Sequence, residues 1–511
     1  MVRSLPVTSR PIKTLLIANR GEIALRIIRT ARVLGIKTVA IYSDADSHSA
    51  HVLAADDARL IGPPEPALSY LNAAAIIDAA RDAGADAIHP GYGFLSERPE
   101  FARMTTANGL VFVGPPAEVM AALGDKVAAR RLAAKAEVPV VPGIETADAS
   151  SARRFAAQAG YPILVKAAAG GGGRGMRVVA DESNLEAALE AAAREAQAAF
   201  GDGRIFIEKY LAHPRHIEIQ LLADHHGTVV ALGERECSIQ RRHQKIIEES
   251  PAPGLSPALR DRMADAALRL ARAAGYRNAG TAEFLVDGDS FYFLEVNARL
   301  QVEHPVTELR FGCYLVAEQL QIAAGERLTA PLEPRGCAIE CRINAEDAEH
   351  DFRPATGRVN ALALPAGPGV RVDTHLTADA EVLPYYDSLM AKLITFGGDR
   401  EIARLRMIVG LDEFSLLGVA HTGAFLRAIM ASEPFARARL STRFLPEHFA
   451  HWRPSDQDLK DAAIAAFMLA EGLLGDNAAA ASRRDGAGAR SDASSHSPWG
   501  ELAGFTIGGS R

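Results

Sequence analysis

Short apolar runs alternate with helical patterns through the first part of the chain, and this alternation limits the fold more than any other feature. Thr14–Ala18 and Lys37–Tyr42 have the composition of buried strands, and an amphipathic helical pattern separates them. A predicted helix over Leu71–Ala83 leads to a third strand, Ala87–His89. Such βαβ alternation predicts an α/β fold with a doubly wound parallel sheet, which binds ligands at the carboxyl ends of its strands. We assign this Rossmann-like N-terminal domain to residues 1–121.

The remaining length requires further domains, because 511 residues exceed what one hydrophobic core normally serves. A second series of predicted strands fills residues 122–335, and a further α+β region fills residues 336–452. In the segment 453–511, a predicted amphipathic helix over Asp456–Leu474 precedes a stretch rich in Ala, Ser, Arg and Gly. Such a stretch buries too little apolar surface to fold, so we expect this tail to lead toward a domain that is absent from the chain.

Charge and cysteine content exclude several classes of protein. The formal net charge of −7 provides no general basic surface of the kind that attracts nucleic acids or anionic membranes. No run reaches the roughly 18 apolar residues of a membrane-spanning helix, and the N-terminus lacks the apolar core of a signal peptide. The four cysteines include no CxxC pair, which favours reduced thiols over disulfides or a zinc site. We therefore expect a cytoplasmic protein without a nucleic-acid or membrane partner.

A run of four glycines, Gly170–Gly173, follows the predicted strand Pro162–Lys166. Glycines supply no side chain to a core, but their backbone N–H groups can surround phosphate oxygens. Neither a P-loop nor the dinucleotide pattern GxGxxG occurs, so the loop by itself indicates only a phosphate-binding lid. The alternative is a disordered linker, which the strand-like segments on both sides disfavour.

Acidic side chains mark two successive predicted strands, Ala282–Val286 and Phe291–Asn297. Glu283 lies on the first strand, and Glu295 and Asn297 lie two residues apart on the second, hence on one face. A turn with the composition of a hairpin joins the strands. If Glu283 faces the same side, three oxygen ligands converge, which suits Mg²⁺ (or Mn²⁺) carried with a nucleotide. A solvated strand face is the alternative, but the intervening residues are apolar.

Two polar segments complete the predicted site. Gln240–Glu249 (QRRHQKIIEE) concentrates basic groups before two glutamates, and Arg299–His304 brings a guanidinium, an amide, a carboxylate and an imidazole together. The Arg299 guanidinium can bind a small planar oxyanion bidentately. The Glu303 carboxylate can accept a proton from that anion. These features together predict ATP, a divalent cation and a small oxyanion in one cleft.

The ordered motifs resemble the ATP-grasp superfamily and, within it, the biotin carboxylases. The resemblance extends from about Ile12 to Phe449. The motifs are IANRGEIALRIIR (Ile17–Arg29), HPGYGFLSE (His89–Glu97), GDK (Gly124–Lys126), KAAAGGGGRGMR (Lys166–Arg177), EKYL (Glu208–Leu211), PRHIEIQ (Pro214–Gln220), ERECSIQRRHQKIIEESPAP (Glu234–Pro253), EVNARLQVEHPVTE (Glu295–Glu308) and ECRINAED (Glu340–Asp347). It implies a central ATP-grasp domain whose glycine-rich lid, over about residues 138–210, is mobile, and a biotin carboxylase C-terminal domain.

The resemblance also implies a reaction and its residues. Bicarbonate is phosphorylated by MgATP to carboxyphosphate, and the carboxyl group passes to N1′ of biotin on a carrier. The implied ATP-binding residues are Lys126, Lys166, Gly171, Gly172, Gly173, Glu208, Lys209, Leu211, His216, Gln240, His243 and Leu285, and the implied metal ligands are Glu283, Glu295 and Asn297. Bicarbonate is held by Lys245, Arg299, Gln301 and Val302, with Glu303 as the base. Arg342 stabilises the enolate-like oxygen of biotin, and Tyr92 borders the biotin site.

The resemblance extends to partners. The Ala-Met-Lys-Met tetrapeptide of biotin carriers is missing, so the carrier protein or domain is expected on another chain or beyond this one. The tail resembles the segment that follows this module in α-subunits of acyl-CoA carboxylases of the methylcrotonyl-, geranyl-, propionyl- or acetyl-CoA type. A carboxyltransferase partner, and a homodimer or a larger hetero-oligomer, are therefore expected. Val296 and Ala298 replace the Met and Thr usual beside the metal ligands, at positions that bind no metal.

Two other functions fit part of the pattern. Another ATP-grasp ligase, joining a carboxylate to an amine, would share the nucleotide motifs, but the segments QRRHQK and RLQVEHPVTE disfavour it. A nucleotide-binding regulatory protein that has lost catalysis is the second. The residues that disfavour it are Lys126, Lys166, Lys245, Glu303 and Arg342, all of which are retained.

Overall fold

The predicted parallel sheet is present at the N-terminal end of the structure. The computed structural model describes residues 11–145, 148–167, 176–200, 203–328 and 333–455, together with 460, 463–464 and 467–468. Five parallel strands pair in the order β3-β2-β1-β4-β5. They are β1 (Thr14–Ile17), β2 (Lys37–Ser43), β3 (Asp57–Gly62), β4 (Ala87–His89) and β5 (Val111–Phe112). The accompanying helices are α1 (Gly21–Val33), α2 (Ala50–Ala54), α3 (Ala73–Asp82), α4 (Pro99–Ala107) and α5 (Ala117–Gly124).

The strand order reverses between β1 and β4, and this is where a doubly wound sheet opens a ligand crevice. Asn19 follows β1 and is buried. Its Nδ2 donates to the carbonyl oxygens of Pro90 at 2.8 Å and Tyr92 at 2.7 Å, both in the loop after β4. The switch point of the sheet therefore fixes the loop that carries Tyr92.

A smaller antiparallel sheet follows, with the strand order β6-β9-β7-β8. Its strands are β6 (Gly143–Glu145), β7 (Ile163–Ala167), β8 (Arg177–Val179) and β9 (Ile205–Lys209), and its neighbouring helices are α6 (Lys126–Lys135), α7 (Ala149–Ala159) and α8 (Leu185–Phe200). The buried side chains of Ile163, Val165 and Ile207 belong to an apolar cluster separate from the main core. These residues fall within the segment predicted as the lid, whose glycine run lies outside the described residues.

The largest sheet has eight antiparallel strands in the order β14-β13-β10-β11-β12-β15-β22-β20. Its first five strands along the chain are β10 (Arg215–Ala223), β11 (Val229–Arg241), β12 (Gln244–Ser250), β13 (Asn278–Asp287) and β14 (Ser290–Asn297). Helices α9 (Pro257–Ala274), α10 (His304–Phe311) and α11 (Leu315–Ala323) accompany them. Strands β13 and β14 form the predicted hairpin. The buried Phe284 on β13 shares one apolar cluster with Leu16 of β1, so the two sheets are packed on a common core.

The same sheet continues into the C-terminal region through β15 (Cys337–Asn344), which pairs with β12. The predicted domain boundary between residues 335 and 336 therefore divides strands of one continuous sheet, and this boundary stays a prediction. The remaining strands are β16 (Glu346–Asp347), β17 (Arg353–Pro354), β18 (Gly357–Arg358), β19 (Ala361–Ala363), β20 (Val370–Thr374), β21 (Glu381–Val382), β22 (Leu389–Gly397) and β23 (Ser415–Leu417). The remaining helices are α12 (Arg400–Glu413), α13 (Gly423–Ala431), α14 (Glu433–Ala436) and α15 (Phe444–His448).

The chain divides into two units, Met1–Pro454 and Ser455–Arg511. All elements above belong to the first unit. In the second, the described residues of the predicted helix Asp456–Leu474 are helical, namely Lys460, Ala463, Ile464, Phe467 and Met468. The low-complexity stretch lies outside the described residues. Across the described ranges, no helix combines the length and apolar character needed to cross a bilayer.

Candidate active site

A cleft of about 1280 Å³ opens within the first unit and is lined by all three regions of sheet. The predicted site residues that line it are Tyr92, Lys126, Lys166, Glu208, Lys209, Leu211, His216, Gln240, His243, Lys245, Glu283, Leu285, Glu295, Asn297, Arg299, Gln301, Val302 and Arg342. Glu303 does not line the cleft surface and has no exposed area. Gly171–Gly173 fall among the residues that the structure does not describe. The structure thus brings together residues that lie far apart in the sequence.

Lys166 and Glu208 form one end of the cleft. They lie on the neighbouring antiparallel strands β7 and β9, where the side chains of alternate residues share a face. Lys166 Nζ lies 2.7 Å from Glu208 Oε1. Burial lowers the pKa of Lys166, and the Glu208 carboxylate opposes that shift. This end of the cleft therefore holds a lysine that is already paired with a carboxylate.

His216 is oriented by a partner on each side of its ring. Gln240 Nε2 lies 2.9 Å from Nδ1 of His216, and Nε2 of His216 lies 3.1 Å from Glu283 Oε2. Because the amide nitrogen can only donate, Nδ1 is the acceptor in this pair, and Nε2 faces the carboxylate. His216 thereby links the predicted nucleotide residues to the acidic hairpin.

The register of the acidic hairpin places Glu283 and Glu295 on one face, a point that the sequence left open. Glu283 on β13 is directly opposite Glu295 on β14, and Asn297 follows Glu295 by two residues on the same strand. Burial raises the pKa of Glu295 and the negative charge of Glu283 raises it further, whereas the positive charge of Lys126 opposes the rise. Two carboxylates and a nearby amide oxygen form the hard oxygen donor set that Mg²⁺ prefers.

The amide oxygen of that donor set has a partner within the protein. Arg299 Nη2 donates to Asn297 Oδ1 at 2.9 Å. Arg299 Nη1 donates to Gln301 Oε1 at 2.9 Å, and its Nε donates to Glu97 Oε2 at 2.9 Å. Nη1 also donates to the carbonyl oxygen of Leu300 at 3.2 Å, so three side chains and one backbone carbonyl hold the planar guanidinium beside the acidic hairpin. Because an amide oxygen has two lone pairs, Asn297 Oδ1 keeps one for a cation while Arg299 donates to the other.

Lys245 connects the acidic hairpin to Glu303. Its Nζ lies 2.5 Å from Glu218 Oε2, 2.7 Å from Glu283 Oε1 and 2.7 Å from Glu303 Oε1. These contacts use the three donors that an ammonium group has. Burial acts to lower the pKa of Lys245, but the carboxylates of Glu218, Glu283 and Glu303 outweigh it and raise the pKa well above its usual value. Lys245 is therefore a permanent positive charge.

Glu303 is buried between two cations. It is the N-cap residue of α10, and its Oε2 accepts from Arg342 Nη2 at 2.8 Å while Lys245 approaches its Oε1. Burial would raise its pKa, but Lys245, Arg342 and Arg235 lower it well below the usual range. In this state the group is a carboxylate at neutral pH.

Several residues of the site had no role in the sequence prediction. Glu218 is the clearest, since it is buried and binds both Lys245 and Arg235. Its position two residues after His216 on the same strand was an available signal, because both side chains then point to one face. Glu97 belongs to one of the motifs but had no predicted role, and its carboxylate accepts from Arg299 Nε. Arg130 also lines the cleft, on helix α6, and no motif indicated it.

Comparisons with known proteins agree with this architecture. Three family models match successive parts of the chain: "Biotin carboxylase, N-terminal domain" over residues 11–120, "Carbamoyl-phosphate synthase L chain, ATP binding domain" over residues 125–331, and "Biotin carboxylase C-terminal domain" over residues 340–447. One of the subunits of pyruvate carboxylase from Methanothermobacter thermautotrophicus is 49% identical over 439 residues, which is 85% of this chain and 89% of that protein. The mitochondrial alpha subunit of methylcrotonoyl-CoA carboxylase from Dictyostelium discoideum is 45% identical over 507 residues, covering 98% of this chain and 71% of that protein.

A solved structure extends the likeness to three dimensions. The biotin carboxylase domain dimer of the Hydrogenobacter thermophilus 2-oxoglutarate carboxylase, in complex with MgADP, ADP and bicarbonate, superposes with a TM-score of 0.81 at 44% identity. The match covers 88% of this chain and 100% of that one.

The small lid-like sheet and the large antiparallel sheet, with lysines and paired carboxylates in the cleft, define a ligase of the ATP-grasp class. The N-terminal parallel-sheet region and the C-terminal region match the two biotin carboxylase family models, which define one family within that class. The chain belongs to the biotin carboxylase family. It is therefore an enzyme with the three-part biotin carboxylase fold.

Proposed function

We propose that the chain carboxylates biotin on a separate carrier, using ATP and bicarbonate and passing through carboxyphosphate. The observation that carries this proposal is the contact chain in which Lys245 and Arg342 bind opposite oxygens of Glu303, at 2.7 and 2.8 Å. A buried carboxylate held between two cations, one in contact with the acidic hairpin and one on β15, suits a base that acts between a nucleotide and a second substrate.

ATP would bind to basic side chains and backbone groups that line the cleft. Lys126, Lys166, His216 and His243 would face the phosphates, and the segment Glu208–Leu211 would lie beside the adenine. Lys209, Gln240 and Leu285 and the glycine loop at Gly171–Gly173 would complete the site. Glu283, Glu295 and Asn297 would hold Mg²⁺, which when bound neutralises phosphate charge.

In the first half-reaction, Arg299, Lys245, Gln301 and Val302 would hold bicarbonate beside the γ-phosphate. Glu303 would take the O–H proton of bicarbonate. The freed oxygen would bond to the γ-phosphorus as the bond to ADP breaks, which yields carboxyphosphate and ADP. Glu303 is a weak base while both cations bind it, so substrates would raise its pKa by drawing Lys245 and Arg342 toward their own negative charges.

In the second half-reaction, biotin would bind between Arg342 and Tyr92. The Arg342 guanidinium would stabilise the charge that develops on the ureido oxygen when N1′ loses its proton to the departing phosphate. N1′ would bond to the carboxyl carbon as the carbon–oxygen bond to phosphate breaks. Arg299, Glu303, Lys245 and Arg342 would thus be the catalytic residues.

The final acceptor would be an acyl-CoA, reached through a biotin carrier and a carboxyltransferase on other polypeptides. The support is the methylcrotonoyl-CoA carboxylase relative, whose match extends through the tail to 98% of this chain. The pyruvate carboxylase relative is similar at 49% identity, which makes a 2-oxoacid the second candidate acceptor. We further propose a cytoplasmic homodimer or larger hetero-oligomer, a lid over about residues 138–210, and domain limits at residues 121, 335 and 452.

Labelled bicarbonate tests the reaction. Incubation with MgATP and free biotin should yield acid-labile label on biotin, and omission of ATP, Mg²⁺ or biotin should abolish it. Label that appears in an ATP-dependent product without biotin would contradict the proposal and support the other ligase. Mass spectrometry of the native complex, identifying the chains that copurify and the one that carries biotin, tests the acyl-CoA assignment.

A further inference from the structure

The Glu208 carboxylate lies between two cationic side chains, Lys166 and Arg130, and is closer to Lys166. Its Oε1 lies 2.7 Å from Lys166 Nζ, whereas its Oε2 lies 3.7 Å from Arg130 Nη1. Glu208 is only 8% exposed, and its Oε2 has no hydrogen-bond partner among the described residues. One carboxylate oxygen is therefore satisfied by Lys166, and the other faces a guanidinium just beyond hydrogen-bonding distance.

Arg130 is held in this position by contacts that do not involve Glu208. Its Nη2 donates to the carbonyl oxygen of Val141 at 2.7 Å. Its guanidinium carbon lies 4.6 Å from the centre of the Phe206 ring, in the geometry of a cation–π contact. Arg130 lies one helical turn after Lys126 on α6 and lines the same cleft. The guanidinium is thus preorganised beside Glu208.

Binding of ATP would disturb this arrangement. The inference rests on the proposed function, in which Lys166 binds the phosphates of ATP. When the Lys166 ammonium turns to the phosphates, Glu208 loses its 2.7 Å partner while its carboxylate remains buried. A buried carboxylate without a counter-charge is strongly destabilising. A shift of about 0.5–1 Å would bring Arg130 within hydrogen-bonding distance of Oε2.

We propose that Arg130 is a positioning residue for ATP binding: it takes over the Glu208 carboxylate when Lys166 moves to the phosphates. Arg130 then acts on the nucleotide through Glu208, without contacting it. Its presence lowers the cost of freeing Lys166, so its loss weakens ATP binding more than it slows the chemical steps.

Steady-state kinetics of Arg130→Met should separate these effects. The KM for ATP should rise about tenfold, a typical coupling for buried charged neighbours, while kcat stays close to that of the wild type. Arg130→Lys keeps a positive charge and should recover part of the loss. Lys135→Met removes a positive charge from an exposed position of the same helix and should leave the KM unchanged.

A double-mutant cycle with Glu208→Gln decides the mechanism. In that background there is no carboxylate to neutralise, so adding Arg130→Met should change ATP affinity less than about twofold. An equal loss in both backgrounds, or an unchanged KM in the single variant, would overturn the proposal. Calorimetric titration of the full chain with MgATP gives the same comparison without turnover. If biotin does not stimulate turnover of the wild type, the proposed function fails. The ATP affinities of the four proteins in the calorimetric cycle test the role of Arg130 independently of that result.

Discussion

The guanidinium of Arg342 and the carboxylate of Glu303 are joined by a 2.8 Å hydrogen bond from Nη2 to Oε2. Arg342 lies on β15 of the C-terminal region, and Glu303 lies at the start of α10, in the segment that follows the acidic hairpin. This bond links the group proposed to deprotonate bicarbonate to the group proposed to bind biotin. The two half-reactions can therefore be separated by substitution at either end of the bond.

Glu303→Gln should reduce bicarbonate-dependent ATP hydrolysis by about 10²–10⁴-fold, the usual contribution of a general base. The amide preserves the shape of the side chain but cannot accept the proton. Phosphate release in the presence of bicarbonate measures the effect. MgATP affinity, measured by calorimetry, serves as the control and should persist. Turnover close to that of the wild type would mean that another group is the base.

Arg342→Ala should reduce biotin carboxylation by at least about 10²-fold, because the developing charge on biotin loses its main donor. MgATP binding should remain close to that of the wild type, since the ion pairs that Arg342 makes with described residues are to Glu303 and Glu248, neither of which is a proposed nucleotide residue. Label transfer to biotin and calorimetry give the two readings. A large loss of ATP affinity would be incompatible with the role assigned to Arg342.

Glu295→Gln should raise the Mg²⁺ concentration needed for half-maximal activity at least tenfold, roughly the effect that even outer-shell changes produce. The reason is that one carboxylate of the pair Glu283–Glu295 is lost from the cation site. Titration with Mg²⁺ at fixed ATP measures it. Asp289→Asn, in the exposed turn of the same hairpin, is the matched control and should not alter the titration. Equal behaviour of the two variants would exclude Glu295 as a ligand.

His89 makes stability depend on pH. Burial lowers its pKa to about 3, against the opposing effect of its hydrogen bond to Gln319. The folded state keeps the ring neutral, whereas the unfolded chain binds a proton near its usual pKa of about 6.5. The contribution of His89 is therefore complete above about pH 6.5 and is lost as pH falls toward about 3.

His89→Asn isolates that contribution. In the wild type, the Gly91 N–H donates to His89 Nδ1 at 3.0 Å, and an Asn amide oxygen could accept the same hydrogen bond. The stability difference between wild type and variant should shrink by about 1.4 kcal/mol per pH unit between about pH 6 and pH 4. Urea unfolding at several pH values measures it. A difference that does not change with pH would show that His89 titrates alike in both states.

The sequence predicted the elements whose signals are local. The parallel strands follow from continuous apolar runs, and the hairpin of β13 and β14 follows from its turn. The sequence left open whether Glu283 faces the same side as Glu295, and the strand register decides it. The pairing of β12 with β15 could not be predicted in this way, because Glu248 and Glu340 face each other across 92 residues of chain. Long-range pairing depends on the whole packed structure and leaves no local pattern.

The same distinction explains which site residues were missed. The sequence predicted that Glu303 belongs to the site, but its complete burial beneath Lys245 and Arg342 depends on where two distant strands meet. Glu218 did have a local signal, because it lies two residues after His216 on β10. Arg130 is an ordinary basic residue of an amphipathic helix, and only the approach of β9 gives it a neighbour in Glu208.

Phosphate release from ATP, measured with bicarbonate and with or without free biotin, tests the central claim most directly. The arrangement of Lys245, Glu303 and Arg342 predicts hydrolysis that requires bicarbonate and that biotin stimulates, because carboxyphosphate is consumed when biotin accepts the carboxyl group. Hydrolysis that requires bicarbonate but does not respond to biotin, or no hydrolysis at all, would contradict the proposed carboxylation of biotin.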